Sequence, residues 1–156
     1  MFSIDTNLLV YAHNTGSEFH EQAITNVTQI INERDLNGQH TVCLSTQVLT
    51  EFFHVITLHR IENPLSINEA LSILQDYKDA GIPIIHQQET QFQTFLEILE
   101  TTTTRRKTFD VALAATLKDN QVSGLYTVNV NDFVSFDFLE VINPLLPSTD
   151  SPSLSE

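Results

Sequence analysis

The sequence has little cysteine, no long apolar run and few basic residues. Its single cysteine, Cys43, excludes an internal disulfide and a thiolate cage around a metal, and it suits a reducing cytoplasm. No apolar run approaches the roughly 18 residues of a membrane span, and the acid at position 5 follows no basic segment, unlike a secretory signal. We therefore expect a cytoplasmic protein with no membrane partner.

Basic residues are scarce relative to acids. Seven Lys and Arg face twenty Asp and Glu, which gives a formal net charge of −13. Such a surface repels nucleic acid at long range and suits a basic protein partner instead. Any function on RNA must be reconciled with this charge.

The length and the apolar content predict one domain with a tail. The chain has 156 residues, of which 41% are hydrophobic, and a chain of this size buries roughly 70% of its unfolded surface. From Pro147 the sequence is rich in Ser and Pro and has little to bury. We predict a domain over residues 1–146 and a disordered tail over 147–156.

Short β-prone segments alternate with helical patterns along the chain. The predicted strands are 2–5, 41–44, 82–85, 124–130 and 139–142, and the predicted helices are 20–35, the segment from Thr46 toward Pro64, 66–80, 89–100 and 108–120. NLLVYA reads as an apolar turn after the first strand, and 101–107 as a loop. This alternation predicts an α/β fold with a mostly parallel sheet flanked by helices on both faces, whose crevice lies beyond the carboxyl ends of the strands.

Four acids occupy positions that would face this crevice. Asp5 ends the first strand, and Glu51 shares a helix face with the apolar Val48 and Val55. Asp110 lies on the apolar face of its helix, and Asp132 closely follows the fourth strand. Each also has a structural interpretation: an Asx-type turn at Asp5, an ion pair at Glu51, a helix-dipole contact at Asp110 and an Asn-rich turn at Asp132.

Together the four acids favour a metal site. Hard oxygen ligands without Cys or clustered His suit Mg²⁺ or Mn²⁺ better than zinc. One or two such ions can generate hydroxide and stabilise the leaving oxygen when a phosphodiester is cleaved. Without cations the cluster would be unstable, since neighbouring carboxylates raise one another's pKa values.

The residues around these acids resemble the PIN domain family of metal-dependent ribonucleases, which includes the VapC-type toxins of toxin–antitoxin pairs. The resemblance covers residues 1 to about 145. It is carried by FSIDTNLLVYA, STQVLTEFFHV, TFDVALAATLKDNQVSGLYTVNVNDF and LEVINP. It implies a parallel sheet flanked by helices, an RNA substrate, dimerisation and a small antitoxin partner.

The resemblance also implies roles for individual residues. Asp5, Glu51 and Asp110 would bind Mg²⁺ or Mn²⁺ and act in catalysis. At the fourth position many family members have an acid where this chain has Asn129, and others have the acid three residues later, as Asp132 is. We expect Asn129 to orient groups at the site and Asp132 to contribute charge. Two further residues, Asn7 and Thr127, would support the site.

Three of the seven cations directly precede Asp110 in sequence. Arg105, Arg106 and Lys107 suit an RNA phosphate clamp at the rim of the site, and they also suit a solvated loop.

Two further functions remain open. The charge and the Asn at position 129 suit a PIN-like protein-interaction module with little or no nuclease activity. A phosphohydrolase for small substrates ranks last, because the sequence has no P-loop, no GxSxG and no Asp-x-Asp pair.

Overall fold

A computed structural model describes residues 1–102 and 108–146 of the chain. A five-stranded sheet contains β1 Phe2–Ile4, β2 Val42–Ser45, β3 Ile84–Ile85, β4 Gly124–Tyr126 and β5 Glu140–Ile142. The helices in the described ranges are α1 Thr6–His13, α2 His20–Asn32, α3 Thr46–Ile56, α4 Ile67–Asp79, α5 Gln91–Glu100, α6 Thr108–Asp119 and α7 Val130–Phe133. The predicted tail over 147–156 and most of the predicted loop over 101–107 lie outside the described residues.

The sheet is parallel throughout and has the strand order β3-β2-β1-β4-β5. From β1 the chain moves outward to β2 and β3, and then crosses back to β4 and β5 on the other side. Crossovers between parallel strands are right-handed. The crossovers toward β3 and those toward β5 therefore place their helices on opposite faces of the sheet. The predicted α/β fold with helices on both faces is confirmed.

The strand order sets the position of the crevice. β1 lies between β2 and β4, and the chain adds β2 and β3 toward one edge of the sheet and β4 and β5 toward the other edge, so the strand order reverses at β1. In open parallel sheets, ligands bind beyond the carboxyl ends of the strands at such a reversal. The carboxyl ends of β1 and β4 lead directly into Asp5 and Thr127, and the Asp5 amide donates to the Tyr126 carbonyl at 2.9 Å.

The segment after β1 differs from the prediction. NLLVYA belongs to the helix α1 and is not a turn, and Asp5 caps this helix by accepting a hydrogen bond from the Thr6 amide. Leu8, Leu9 and Val10 are all buried, because α1 packs against both α2 and α3. An apolar segment that is covered on several sides has no polar stripe to mark it as helical.

Smaller corrections concern the ends of elements. β4 ends at Tyr126, and Val130 begins α7, so the predicted strand 124–130 was too long. Ser45 caps α3, and Thr46 is its first residue. α2 ends at Asn32, so Gly38, with φ 77°, lies in the turn after it.

Within the described residues, no helix is both long and apolar enough to cross a membrane.

Candidate active site

Asp5 is the best-defined carboxylate at the crevice. It is 7% exposed, and both of its carboxylate oxygens accept hydrogen bonds. The Thr6 amide donates to Oδ1 at 2.8 Å, and the Thr127 hydroxyl donates to Oδ2 at 2.7 Å. Because Thr127 is fully buried at the end of β4, this second bond fixes the Asp5 side chain between the two central strands.

The charge of Asp5 is poorly compensated by its surroundings. Burial raises the pKa of the Asp5 carboxyl, the hydrogen bonds from Thr127 and Thr6 oppose that change, and the charges of Glu51 and Asp132 raise the pKa further. These two acids therefore lie near enough to act on Asp5 electrostatically. A bound cation would relieve this accumulation of negative charge.

Glu51 is half-buried on α3 and is oriented by two donors. The Thr6 hydroxyl donates to its Oε2 at 2.9 Å, and the Gln47 amide donates to its Oε1 at 3.2 Å. Thr6 thus contacts both Asp5 and Glu51, through its backbone amide and its hydroxyl respectively. In the sequence Thr6 is only the middle residue of Asp-Thr-Asn, and it was not among the predicted site residues.

Gln47 also connects Glu51 to the third acid-bearing element. Its side-chain amide donates to the Phe109 carbonyl at 3.2 Å, in the first turn of α6. Asp110 is the next residue, and it is half-buried there. The structure therefore brings the α6 turn that carries Asp110 up to the helix that carries Glu51. The spacing Gln47-x-x-x-Glu51 could have suggested an i, i+4 contact between these two side chains. Nothing in the sequence indicated that Gln47 also contacts α6.

The segment that carries Asn129 and Asp132 is held by the side chain of Thr127. Besides donating to Asp5, the Thr127 hydroxyl accepts the Asn129 amide at 3.0 Å. Asn129 stands immediately before α7, and its carbonyl accepts the amide of the half-buried Asp132 at 3.0 Å. The Asn129 backbone therefore positions this turn, and the charge of Asp132 acts on Asp5.

The remaining predicted site residues are Asn7 and the three basic residues before α6. Asn7 is half-buried in the first turn of α1 and lines a separate cavity of about 380 Å³ with Tyr11 and Val55. Arg105, Arg106 and Lys107 lie outside the described residues.

The donor set fits Mg²⁺ or Mn²⁺ in its chemistry. The groups are carboxylates, which are the hard oxygen ligands that these ions prefer, and the negative charge around Asp5 is what a cation neutralises. In the part of the chain that the structure describes, no three His, Cys, Asp or Glu side chains converge tightly enough to form a complete coordination shell. Binding would therefore require these carboxylates to move closer together.

Comparison with known proteins identifies relatives over almost the whole chain. No protein-family model matches it. The chain is 26% identical over 147 residues to Ribonuclease VapC24 of Mycobacterium tuberculosis, an alignment that covers 93% of this chain and 97% of the relative.

Solved structures share the fold. Mycobacterium tuberculosis VapC20, a Sarcin-Ricin loop cleaving toxin, superposes with a TM-score of 0.62 at 13% identity and covers 87% of this chain and 95% of that chain. VapBC2 from Rickettsia felis, bound to a DNA fragment from its promoter, gives a TM-score of 0.62 at 18% identity over 91% of this chain and 97% of that chain. At these identities the superpositions show a common fold.

Proposed function

We propose, from the premise that this chain is a VapC-type PIN domain, that it is a metal-dependent endoribonuclease and the toxin of a toxin–antitoxin pair. The curated relative at 26% identity is a ribonuclease that aligns over 93% of this chain. The predicted alternative, an inactive interaction module, is not favoured by these relatives.

One observation carries the proposal. The buried Asp5 lies where the strand order of the sheet reverses, and both of its carboxylate oxygens accept hydrogen bonds. The charges of two further acids, Glu51 and Asp132, also act on it. A structural carboxylate is normally placed beside a cation or among neutral donors, because an uncompensated buried charge is costly. The repulsion that Glu51 and Asp132 add at Asp5 is instead what a bound divalent cation would offset.

The roles follow from the contacts. Asp5, Glu51 and Asp110 would hold Mg²⁺ or Mn²⁺, and Asp132 would add charge. When bound, such an ion supplies Lewis acidity toward the scissile phosphate and the attacking water. Thr127 and Thr6 hold Asp5 in one orientation, and Asn129 fixes the turn that carries Asp132. Asn7 remains a proposed supporting group, and Arg105, Arg106 and Lys107 remain proposed phosphate contacts.

The test combines cleavage with metal binding. Purified protein should cleave structured RNA in Mg²⁺ and bind Mn²⁺ in a calorimeter, and Asp5→Asn should lose both properties. The matched control is Asp119→Asn, a half-buried aspartate that also accepts hydrogen bonds from threonines but lies on the last turn of α6. Equal cleavage by wild type and Asp5→Asn would refute the assignment.

The proposed partners are an antitoxin and a second copy of the chain. The excess of acids, twenty against seven basic residues, suits a basic segment of a small antitoxin. We expect a small open reading frame directly upstream of the gene. Its product should copurify with this chain and inhibit cleavage. Sedimentation of the isolated chain would test the dimer.

We also propose a cytoplasmic location. We further propose that residues 1–146 form the nuclease domain, so a chain lacking 147–156 should retain cleavage.

A further inference from the structure

A groove of about 500 Å³ opens beside the candidate site. Glu51, one of the proposed metal ligands, forms part of its wall, so the groove borders the candidate site. The other walls come from the start of α6, where Phe109 lies, and from Gln87, which follows β3. Its volume falls in the range of roughly 300–1,000 Å³ that is typical of sites for small organic groups.

Phe109 is unusually exposed for an aromatic residue at such a place. Its exposed fraction is 75%, and it directly precedes Asp110. Its backbone is held, because the Phe109 carbonyl accepts the Gln47 amide that also contacts Glu51. The ring is therefore presented to solvent from a turn that is anchored to the site.

The net charge makes a short-range contact of this kind necessary. With a formal charge of −13, long-range attraction to phosphates contributes little to RNA binding. Stacking of a base on an aromatic ring does not depend on protein charge and tolerates any base, because every base has a π face. An exposed phenylalanine beside the site offers this contact.

Resting on the proposed ribonuclease activity, we propose that Phe109 is a stacking platform for an unpaired nucleobase of the RNA next to the cleaved phosphate. The Gln87 side chain, which is exposed and also lines the groove, has both an amide donor and a carbonyl acceptor for the edge of that base. Single-stranded RNA is commonly recognised by this combination of stacking and edge contacts. The substrate is therefore a loop or an unpaired segment of RNA.

The first experiment compares two exposed phenylalanines. Phe92, on α5, is 68% exposed, nearly as much as Phe109, but it does not line the groove. In EDTA, Phe109→Ala should bind an unstructured RNA oligonucleotide about 5- to 100-fold more weakly than wild type. Phe109→Tyr should bind within about twofold of wild type, because the tyrosine ring also stacks. Phe92→Ala should bind as wild type does.

The second experiment uses fluorescence. The chain has no Trp, so Phe109→Trp and Phe92→Trp each introduce one fluorophore. Adding the RNA in EDTA should quench the emission at position 109 and leave that at position 92 unchanged. Equal quenching at both positions, or RNA binding with no change at position 109, would overturn the inference.

The outcomes separate the two proposals. If wild type cleaves RNA in an Asp5-dependent manner and Phe109→Ala binds and cleaves equally well, stacking at Phe109 is wrong and the ribonuclease assignment stands. If wild type neither binds nor cleaves RNA, both proposals fail. A change at position 109 only with a copurified protein would assign this ring to a protein interface, and would also overturn the inference.

Discussion

Two aspartates in this protein are each held by threonine hydroxyls, one directly after β1 and the other at the end of α6. Asp5, at the carboxyl end of β1, accepts from the Thr127 hydroxyl at 2.7 Å. Asp119, in the last turn of α6, accepts from the hydroxyls of Thr90 at 2.9 Å and Thr94 at 2.7 Å. The two sites use the same chemistry to fix a carboxylate.

Their surroundings differ. The bonds to Asp119 connect α6 to α5 and its preceding turn, so this carboxylate joins two helices. The bonds to Asp5 join β1 to β4, and the charges of Glu51 and Asp132 also act on it. Threonine donors alone therefore do not distinguish the proposed metal ligand Asp5 from Asp119, whereas the neighbouring charges of Glu51 and Asp132 do.

The largest effect is expected when Asp5 is replaced by asparagine. Asp5→Asn should reduce RNA cleavage by more than about 100-fold, because it removes a proposed metal ligand. Without metal it should unfold at the same or a higher urea concentration, since a poorly compensated charge is removed.

Asp119→Asn should show the opposite pattern. Cleavage should stay within about twofold of wild type, and unfolding should cost about 1 kcal/mol less, because its hydrogen bonds are weakened. If Asp119→Asn abolished cleavage while Asp5→Asn did not, the functional distinction between the two aspartates would be wrong.

The second prediction removes the donors. Thr127→Val keeps the side-chain shape but removes the hydroxyl that contacts Asp5 and accepts the Asn129 amide. Cleavage should fall about 10- to 100-fold, as when other groups that orient metal ligands are lost. Thr94→Val, which removes a donor to Asp119, should cost about 1 kcal/mol of stability and leave cleavage unchanged. Urea unfolding and cleavage rates of both variants check this contrast.

The third prediction concerns pH without metal. Because the pKa of Asp5 is raised above 3.8 in the folded protein, the folded state holds a proton that the unfolded state releases. The stability of wild type relative to Asp5→Asn should therefore fall as pH rises from about 4 through the folded pKa of Asp5, and be constant above it. Urea unfolding of both proteins in EDTA measures this difference. A relative stability that rises with pH would contradict it.

The smallest effect is expected at Gln47. Gln47→Leu removes the bonds to Glu51 and to the Phe109 carbonyl and should lower cleavage only about 3- to 10-fold, because the Thr6 hydroxyl still orients Glu51. Gln75→Leu is the control, because Gln75 donates to Asp79 at the same i, i+4 spacing on α4. Gln75→Leu should cleave at the wild-type rate. Equal losses in both variants would show that Gln47 has no special role at the site.

The sequence predicted the sheet well because its strands are short apolar runs between turn signals. It failed at α1, where burial of Leu8, Leu9 and Val10 leaves no polar face, although Asp5 before Thr6 was a capping signal. On α5 the apolar residues Phe92, Phe95, Leu96 and Leu99 recur at helical spacing, which would indicate a single buried face. In the structure Thr94 and Ile98 are buried, and Phe92 and Leu96 remain exposed.

The candidate site was predictable where strand ends carry acids. Asp5 and the turn after β4 fall at the carboxyl edge of the sheet once a parallel order is assumed. The contacts of Thr6 and Gln47 were not predictable, because each joins elements that are distant in sequence. Thr6 and Glu51 are 45 residues apart, and Gln47 and Phe109 are 62 residues apart.

The pairing of β1 with β4 also has a consequence for synthesis of the chain. Asp5 leaves the ribosome early, but its donor Thr127 is 122 residues later, and β4 can join the sheet only after the crossover from β3 is complete. Such non-local pairing is slow to form, because a long loop must close first. A nascent chain that has not passed Thr127 therefore cannot hold Asp5 in place, and the proposed site is complete only after β4 has joined the sheet.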